Sequence, residues 1–313
     1  MRQQLAVSRF GATEWMLSVL LAVTWGSSFL LIDIAIEHLD TRVVPFGRSL
    51  AGAVALAFFP GARDAIPRRD WPRIAILGLV WMALPFWLFP LAEKTVASSV
   101  AGMMNGGLPV VMAAVTALWV RRLPSVQRIG AIVLGFVGIV VVAWPAIQTD
   151  TTNGDSIADL RGVLFLAGAL LGYAVGANVA RPLQAQYSPA RLLMRVQIAA
   201  ALWTLPFAAD GARSSDFSWS SVLAVAGLGV VGTGIAFVAF GTLLERTGLT
   251  RAMIPTYFTP IVGLVLGTLF NNETIALVSV AGMLVVIASA WMTSKPDERD
   301  VMLSETATRQ SAL

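Results

Sequence analysis

The sequence predicts an all-α integral membrane protein with ten transmembrane helices. Of its 313 residues, 57% are hydrophobic and only 13% are charged, whereas roughly a quarter of the residues in a typical soluble protein are charged. Ten apolar stretches each come close to the roughly 20 residues that a helix needs to cross the hydrocarbon core. None shows the alternation, in segments of about ten residues, that is typical of a transmembrane β-strand.

The ten predicted helices follow one another with short polar gaps. The second is slightly short for a span and the eighth slightly long. They cover residues 15–36, 43–60, 72–92, 97–119, 126–145, 161–180, 189–208, 219–243, 252–271 and 275–293.

Positive charges are distributed unevenly between the two sides of the predicted membrane domain. If the N-terminus is inside, sixteen lysines and arginines lie on the cytoplasmic side. The outer side holds only Arg42, Lys94, Arg161 and Arg213. Because cytoplasmic loops are enriched in positive charge, we expect both termini in the cytoplasm. The expected location is the bacterial cytoplasmic (inner) membrane.

The two halves of the chain resemble each other. The segment LAEKTVASSVAGMMNGGLPVV (91–111) parallels LLERTGLTRAMIPTYFTPIV (243–262), with Pro109 opposite Pro260. Five helices are an odd number, so the second copy enters the membrane inverted, which is a common arrangement in secondary transporters. We expect two inverted five-helix repeats, an external linker and a disordered cytoplasmic tail. The predicted parts are 1–147, 148–160, 161–295 and 296–313.

Several weak motifs in this order resemble the EamA family of the drug/metabolite transporter superfamily over residues 15–293. They are TWGSSF in the first span, Arg48 and Arg195 in the second and seventh, and the aligned prolines. The resemblance implies a basket of ten helices around a central cavity. It also implies export, commonly of metabolites such as amino acids or of drugs, and it leaves the cargo open.

One position departs from this family pattern. The ninth span is followed by the acid Glu273, as the family tends to have, but the first copy holds Arg121 and Arg122 at the corresponding place.

The composition argues against several other classes of function. There is no cysteine and His38 is the only histidine, and no phosphate-binding or hydrolase motif occurs, so we expect no enzyme, no cofactor and no metal. The arginines are scattered and form no basic face, so we expect no nucleic-acid partner. The expected partners are a small-molecule substrate and the lipid bilayer. A channel is harder to exclude, and monomer and homodimer both stay open.

Aromatic residues near the middle of spans are candidates for a cargo cavity. An indole N–H at that depth needs a partner, which Trp25 and Trp81 would find either in a cavity or on the backbone. The predicted substrate-binding residues are Trp25, Ser28, Trp81, Asn105, Tyr173, Phe237 and Tyr257. Such a cavity favours aromatic or apolar amino acids, and proton-coupled export of amphipathic drugs or dyes is the alternative.

Two prolines predict helix kinks. Pro109 removes one helical hydrogen bond and clashes with the carbonyl of Asn105, and the glycines between them allow bending. Pro260 is expected to repeat this kink in the second copy. The backbone polar groups that lose their helical partners at these kinks would either have a purely structural role or contact the cargo.

Charged residues inside the spans are expected to have partners. Asp33 and Arg48 lie at similar depths, so an ion pair between them is predicted. The alternatives are proton coupling through Asp33 and binding of a substrate carboxylate by Arg48. Proton antiport and facilitated exchange are equally compatible with the sequence. Glu93 and Glu245 are expected at helix ends near water.

Overall fold

The computed structural model describes residues 11–121, 123–147 and 160–294, and this part of the chain is helical. The predicted tail, and the predicted linker apart from Leu160, lie outside the described residues. We number the helices α1 (Ala12–Ile36), α2 (Val43–Ala57), α3 (Arg68–Glu93), α4a (Ser98–Asn105), α4b (Leu108–Val120), α5 (Val126–Ile147), α6 (Leu160–Gln184), α7 (Pro189–Gly211), α8 (Trp219–Thr247), α9 (Ile254–Phe270) and α10 (Leu277–Thr293). The short helix Leu249–Ala252 precedes α9.

Length and composition divide these helices into two groups. Within the described ranges, α1, α3, α5, α6, α7 and α8 are long and apolar enough to cross a membrane, and the pair α4a and α4b makes a seventh span if counted as one. The helices α2, α9 and α10 are apolar but shorter, with 15, 17 and 17 residues. Large apolar side chains are exposed along many of them. The protein is therefore an all-helical, multi-pass membrane protein.

The helix ends are set by local signals in the sequence. The backbone N–H of Gly11 donates to the Glu14 carboxylate at 2.9 Å, which caps α1. Ser218 accepts a hydrogen bond from the backbone N–H of Ser221 at the start of α8. Pro189 occupies the first turn of α7, where its missing N–H costs nothing.

The helices pack in a pattern that relates the two halves of the chain. The pairs α2 and α7, α4a and α9, and α5 and α10 are in contact across the halves. In addition α1 packs against α8 and α9, while α6 packs against α3 and α4b. Exchanging the first five helices for the last five reproduces this set of contacts.

Two helices contain a widened π-helical turn at corresponding places in the halves. It covers Gly78–Ala83 in α3 and Val230–Ile235 in α8. Glycines allow close packing there: a Cβ on Gly78 would lie 2.6 Å from the Cβ of Ala199, and one on Gly229 would lie 2.5 Å from the carbonyl oxygen of Arg48. The wide turns thus lie against α7 and α2. Turns of this kind are frequent at functional sites.

The fourth span is broken. The helices α4a and α4b meet at an angle of 43° at Gly106 and Gly107, with Pro109 in the first turn of α4b. In the second copy α9 continues through Pro260, and the interruption lies instead at Met253. Pro255 follows it in the first turn of α9, as Pro109 does in α4b, because a helix tolerates proline there. Pro260 packs against the break between α4a and α4b: a Cβ on Gly106 would lie 2.7 Å from the Cγ of Pro260.

Candidate functional site

A cavity of about 200 Å³ lies among the helices. Eight aromatic side chains line it together with a few polar groups, so its wall is mostly apolar. The rings are those of Trp25, Phe29, Trp81, Phe86, Phe89, Tyr173, Phe237 and Phe240. A mostly apolar cavity with a few polar groups is typical of a small-molecule site.

The rings form two connected groups. Phe237 lies between two indoles, with its centroid 6.2 Å from that of Trp25 and 6.2 Å from that of Trp81, both in edge-on contact. Trp25 also contacts Phe240 at 5.6 Å. Such pairs stabilise by about 0.5–1.5 kcal/mol beyond the burial of their area. These contacts connect α1, α3 and α8 at one side of the cavity.

The second group of rings includes Phe29, which lies about one turn further along α1 than Trp25. Phe89 contacts Phe29 at 5.7 Å and Tyr173 at 6.0 Å between centroids. Its members come from α1, α3 and α6. The cavity wall therefore combines helices from both halves of the chain.

Arg48 is the buried cation of the cavity wall. It is 7% exposed, its Nε donates to the hydroxyl of Thr233 at 3.3 Å, and its guanidinium carbon lies 3.9 Å from the centroid of the Phe86 ring. Thr233 lies in the wide turn of α8, and its hydroxyl in turn donates to the carbonyl of Leu228, which precedes that turn. No carboxylate among the described residues forms an ion pair with this guanidinium. The cavity therefore contains an unpaired positive charge.

The structure does not bring Asp33 and Arg48 together as the sequence suggested. The Asp33 carboxylate instead accepts a hydrogen bond from the Asn271 side chain at 2.8 Å. Two residues at a similar depth along neighbouring helices can still point in different directions around their helix axes, so equal depth does not bring their side chains together. Ser28 and Ile32 line the cavity, and Asp33 follows Ile32 by one residue, about 100° further around α1.

Asp33 belongs to a polar cluster at the end of the helices opposite the N-terminus of α1. Glu273 caps α4a: its carboxylate accepts from the backbone N–H of Ser98 at 2.9 Å, the hydroxyl of Ser98 at 2.7 Å and the backbone N–H of Ser99 at 3.0 Å. A negative charge is stabilised at a helix N-terminus. We call Asp33, Ser98, Ser99, Asn271 and Glu273 the Glu273 cluster.

Glu93 was expected near water, and this expectation is wrong. Its side chain is 6% exposed, and neither carboxylate oxygen has a hydrogen-bond partner among the described residues. The end of α3 is covered because Phe89, Ala92 and Val96 are part of the main hydrophobic core. Glu245, by contrast, is exposed.

Most of the predicted substrate-binding residues lie together. Trp25, Ser28, Trp81, Asn105, Tyr173 and Phe237 line the cavity. Tyr257 does not, whereas its neighbours Thr256 and Thr259 do, because Tyr257 lies on another face of α9. The side-chain oxygen of Asn105 is buried and has no partner within the described part of the chain. It offers the cavity an unused hydrogen-bond acceptor.

Sequence reasoning missed several lining residues, and the wide turns explain two of them. Trp81 and Phe86 are five residues apart, as are Gly232 and Phe237, and both pairs line the cavity. A regular helix turns by about 100° per residue and would separate them, whereas a π-helical turn brings residues at this spacing onto one face. Phe89, Phe240 and Met112 carried no sequence signal that distinguished them from core residues.

The second arginine of the aligned pair has another role. Arg195 donates to the backbone carbonyls of Ala62, Arg63 and Asp64 and so holds the connection between α2 and α3. Arg191 donates to the carbonyl of Ala65 in the same connection. The two halves are thus chemically unequal: one arginine faces the cavity and its counterpart holds a loop.

Polar contacts also hold the connection between α1 and α2. Arg42 binds the Asp40 carboxylate through Nε at 2.8 Å and Nη2 at 3.0 Å, and it also pairs with Asp210. The side-chain hydrogen bond from Arg42 holds the pKa of Asp40 well below its usual value. On the α6–α7 connection, the Tyr187 hydroxyl donates to Asp70 at 2.5 Å, which raises the pKa of that hydroxyl.

The chain is similar to several membrane transporters along most of its length. An uncharacterized transporter of Archaeoglobus fulgidus is 22% identical over 89% of this chain and 98% of its own. A probable terminal-alkyne amino-acid exporter of Streptantibioticus cattleyicolor is 24% identical over 88% and 92%. The uncharacterized inner membrane transporter YedA of Escherichia coli K12 is 24% identical over 82% of each chain.

A solved crystal structure shares the fold. It matches 91% of this chain and 96% of its own with a TM-score of 0.59, at 16% sequence identity. The profile of the EamA-like transporter family matches residues 13–144 and 160–295, which are most of the described helices. The chain therefore belongs to the EamA-like transporter family and is a membrane transporter of a small-molecule substrate, not an enzyme.

Proposed function

We propose that this protein is a secondary transporter that exports small organic metabolites by alternating access. Amino acids with aromatic or apolar side chains are the favoured cargo. The observation that carries the proposal is the cavity itself, in which eight aromatic rings surround one buried guanidinium that has no carboxylate partner among the described residues.

The chemistry of the wall matches the parts of an aromatic amino acid. The guanidinium of Arg48 is suited to bind a carboxylate through two hydrogen bonds. The unpaired side-chain oxygen of Asn105 is suited to accept a hydrogen bond from an ammonium group. The rings of Trp25, Trp81 and Phe237 would contact an apolar or aromatic side chain.

We further propose that the ten helices are two inverted five-helix repeats around this cavity, with residues 1–147 and 161–295 as the repeats and 148–160 as an external linker. The exchange of helix contacts between the halves supports this arrangement. The paired wide turns of α3 and α8 support it as well. In transporters of this build, the cargo site lies between the repeats near the middle of the bilayer.

The proposed location is the bacterial inner membrane with both termini in the cytoplasm. The excess of arginine and lysine on one side supports this orientation. The name of the E. coli relative supports the location, and that of the Streptantibioticus relative supports amino-acid export.

The alternative cargo is an amphipathic drug or dye moved in exchange for protons. The aromatic wall would accept such a molecule, but the charge of Arg48 repels cations within the cavity. An aromatic or apolar amino acid matches both the aromatic rings of the wall and the positive charge of Arg48, and we therefore favour it.

Counterflow in proteoliposomes tests the proposal. Vesicles are loaded with single amino acids or with amphipathic cations, and uptake of the same labelled compound is measured with and without a pH gradient. We expect accumulation of phenylalanine or another apolar amino acid, reduced by Arg48→Gln and Trp25→Ala. The exposed residues Arg73 and Trp119 provide matched controls, as Arg73→Gln and Trp119→Ala. Counterflow of cations alone, dependent on the gradient, would contradict the proposal.

A further inference from the structure

The described residues that line the cavity include one glycine, Gly232 in the wide turn of α8. Glycine is unfavourable inside a helix, because its backbone loses more conformational freedom on folding than that of other residues. A helical glycine therefore usually has a reason, either a positive φ angle or the close approach of another segment. The first reason does not apply to Gly232, since the described glycines with positive φ are Gly61 and Gly248.

Close approach explains the two nearest glycines of α8. A Cβ on Gly229 would lie 2.5 Å from the carbonyl oxygen of Arg48 in α2. A Cβ on Gly234 would lie 2.8 Å from the Cβ of Ala55, also in α2. Both distances are too short for a real side chain, so these two glycines allow α8 and α2 to pack closely.

The space beside Gly232 is open instead. Apart from neighbours in the same turn of helix, two described atoms would lie within 4 Å of a Cβ there. They are the hydroxyl oxygen of Ser28 at 3.5 Å and the carbonyl oxygen of Gly227 at 3.8 Å, which are ordinary van der Waals distances. A methyl group would therefore fit, and because Gly232 lines the cavity it would occupy part of the cavity. We call the space between Gly232 and Ser28 the Gly232 recess.

The Gly232 recess lies next to both functional parts of the cavity wall. Thr233, the next residue along α8, accepts the hydrogen bond from Arg48. Phe237, which lines the cavity with Gly232, contacts the two indoles of the wall. A cargo that binds Arg48 through its carboxylate and contacts these rings therefore extends along the recess.

We propose that Gly232 is a specificity-determining residue, which leaves room in the cavity for a ring of the cargo. The inference rests on the proposed function and narrows the cargo from apolar amino acids in general to those with an aromatic side chain. A methyl group at this position fills the recess, so an aromatic cargo loses its space while a smaller apolar cargo does not. One methylene group in an apolar pocket changes selectivity by about 10- to 200-fold.

Half-saturation concentrations in counterflow test this role. Phenylalanine and valine are compared in the natural protein, in Gly232→Ala and in the matched control Gly227→Ala. The control adds a methyl group to the same helix outside the cavity lining, 3.6 Å from the Cδ1 of Leu31. We expect the preference for phenylalanine over valine to fall by about 10- to 200-fold in Gly232→Ala and to stay unchanged in the control. An unchanged preference in Gly232→Ala, or an equal fall in Gly227→Ala, overturns the proposal.

A second variant reaches the recess from α1 and decides the matter if Gly232→Ala does not fold. Ser28→Thr adds a methyl group beside the hydroxyl and keeps the hydrogen bond that this hydroxyl donates to the carbonyl of Thr24 at 3.1 Å. Ser27→Thr is the matched control, because Ser27 donates to the same carbonyl but is absent from the cavity lining. We expect the preference for phenylalanine to fall in Ser28→Thr alone. An equal preference in Ser28→Thr and Ser27→Thr overturns the proposal.

A thiol in the recess separates this inference from the proposed function. The chain contains no cysteine, so Gly232→Cys introduces a single thiol. Its rate of reaction with a small methanethiosulfonate reagent is measured with and without phenylalanine, phenylacetate or phenethylamine. We expect phenylalanine to slow the reaction in Gly232→Cys and not in Gly227→Cys.

The outcomes of the labelling experiment distinguish the two proposals. Slowing by phenylacetate or phenethylamine, without counterflow of phenylalanine, would support the recess as a site for a ring and contradict the proposed function. Counterflow of phenylalanine, with no slowing by any of the three compounds, would leave the transport proposal intact and overturn the role of Gly232.

Discussion

The guanidinium carbon of Arg48 lies 3.9 Å from the centroid of the Phe86 ring. Arg48 belongs to α2 and Phe86 to α3, directly after the wide turn that ends at Ala83. The ring holds the charged group by a cation–π interaction and leaves its terminal nitrogens available to the cavity. The wide turn of α3 is therefore part of the site, since it determines which residues of α3 reach Arg48.

Replacing the ring tests this positioning role. In Phe86→Leu the aliphatic side chain retains most of the packing but loses the cation–π interaction, which contributes about 0.5–2 kcal/mol. We expect the affinity for phenylalanine to fall by about 2- to 30-fold, measured as the half-saturation concentration in counterflow. Phe207→Leu, which changes a ring on α7 that contacts Trp87 and is absent from the cavity lining, is the control. Equal affinities in Phe86→Leu and the natural protein would show that the ring does not position Arg48.

The close approach of α3 to α7 depends on a glycine. A Cβ on Gly78 would lie 2.6 Å from the Cβ of Ala199 and 2.9 Å from the backbone nitrogen of Ala200. We expect Gly78→Ala to reduce stability by about 1–3 kcal/mol, seen as a lower unfolding temperature in detergent. Gly130→Ala in α5 is the matched control, because a Cβ there meets nothing within 4 Å, and better helix propensity should raise stability by up to about 1 kcal/mol. Equal effects of the two variants would contradict the packing argument.

The cap formed by Glu273 is the next target. Glu273→Gln keeps the shape of the side chain but removes the negative charge at the N-terminus of α4a. We expect a loss of about 0.5–2 kcal/mol and faster amide hydrogen exchange at Ser98 and Ser99. Glu245→Gln removes an exposed acid and should change neither quantity. Unchanged exchange at the two serines in Glu273→Gln would rule out the cap as a stabilising contact.

The pair of Asp40 and Arg42 should make stability depend on pH. Because the pKa of Asp40 is lower in the folded protein than in the unfolded chain, its contribution is fully present above the unfolded value of about 3.9. The contribution is lost as the pH falls through the folded value. The difference in unfolding temperature between the natural protein and Asp40→Asn should be constant above about pH 5 and shrink in stronger acid. Asp216→Asn, at an exposed position, is the control. A difference in unfolding temperature that grows in acid would contradict the predicted direction of this pH dependence.

The length of the apolar stretches predicted the helices well, but it did not predict in which direction their side chains point. Hydropathy placed ten apolar stretches at positions where the structure has helices, and depth and chemistry were enough to select Trp25, Trp81 and Asn105 as lining residues. Phe86 was not identified as a lining residue, because a helical wheel assumes a regular helix where the structure has a wide turn between Gly78 and Ala83.

The charged residues show a second limit of sequence reasoning. Equal depth suggested that Asp33 and Arg48 would pair, but depth does not define the angle around each helix. The position of Glu93 at a helix end suggested water, yet the chain that follows continues into the hydrophobic core at Val96 and Val100. Both outcomes depend on tertiary packing, which a single sequence does not display.

Equilibrium binding of phenylalanine to the purified protein and to Arg48→Gln, measured by calorimetry, tests whether Arg48 binds the cargo carboxylate. Phenethylamine, which lacks the carboxylate, serves as a second ligand. We expect phenylalanine to bind and phenethylamine not to bind. We expect Arg48→Gln to weaken binding of phenylalanine by about 10- to 100-fold, as for a lost charged hydrogen bond. Equal binding of phenylalanine to both proteins, or binding of phenethylamine as strong as that of phenylalanine, would contradict the assignment of Arg48 as the carboxylate site.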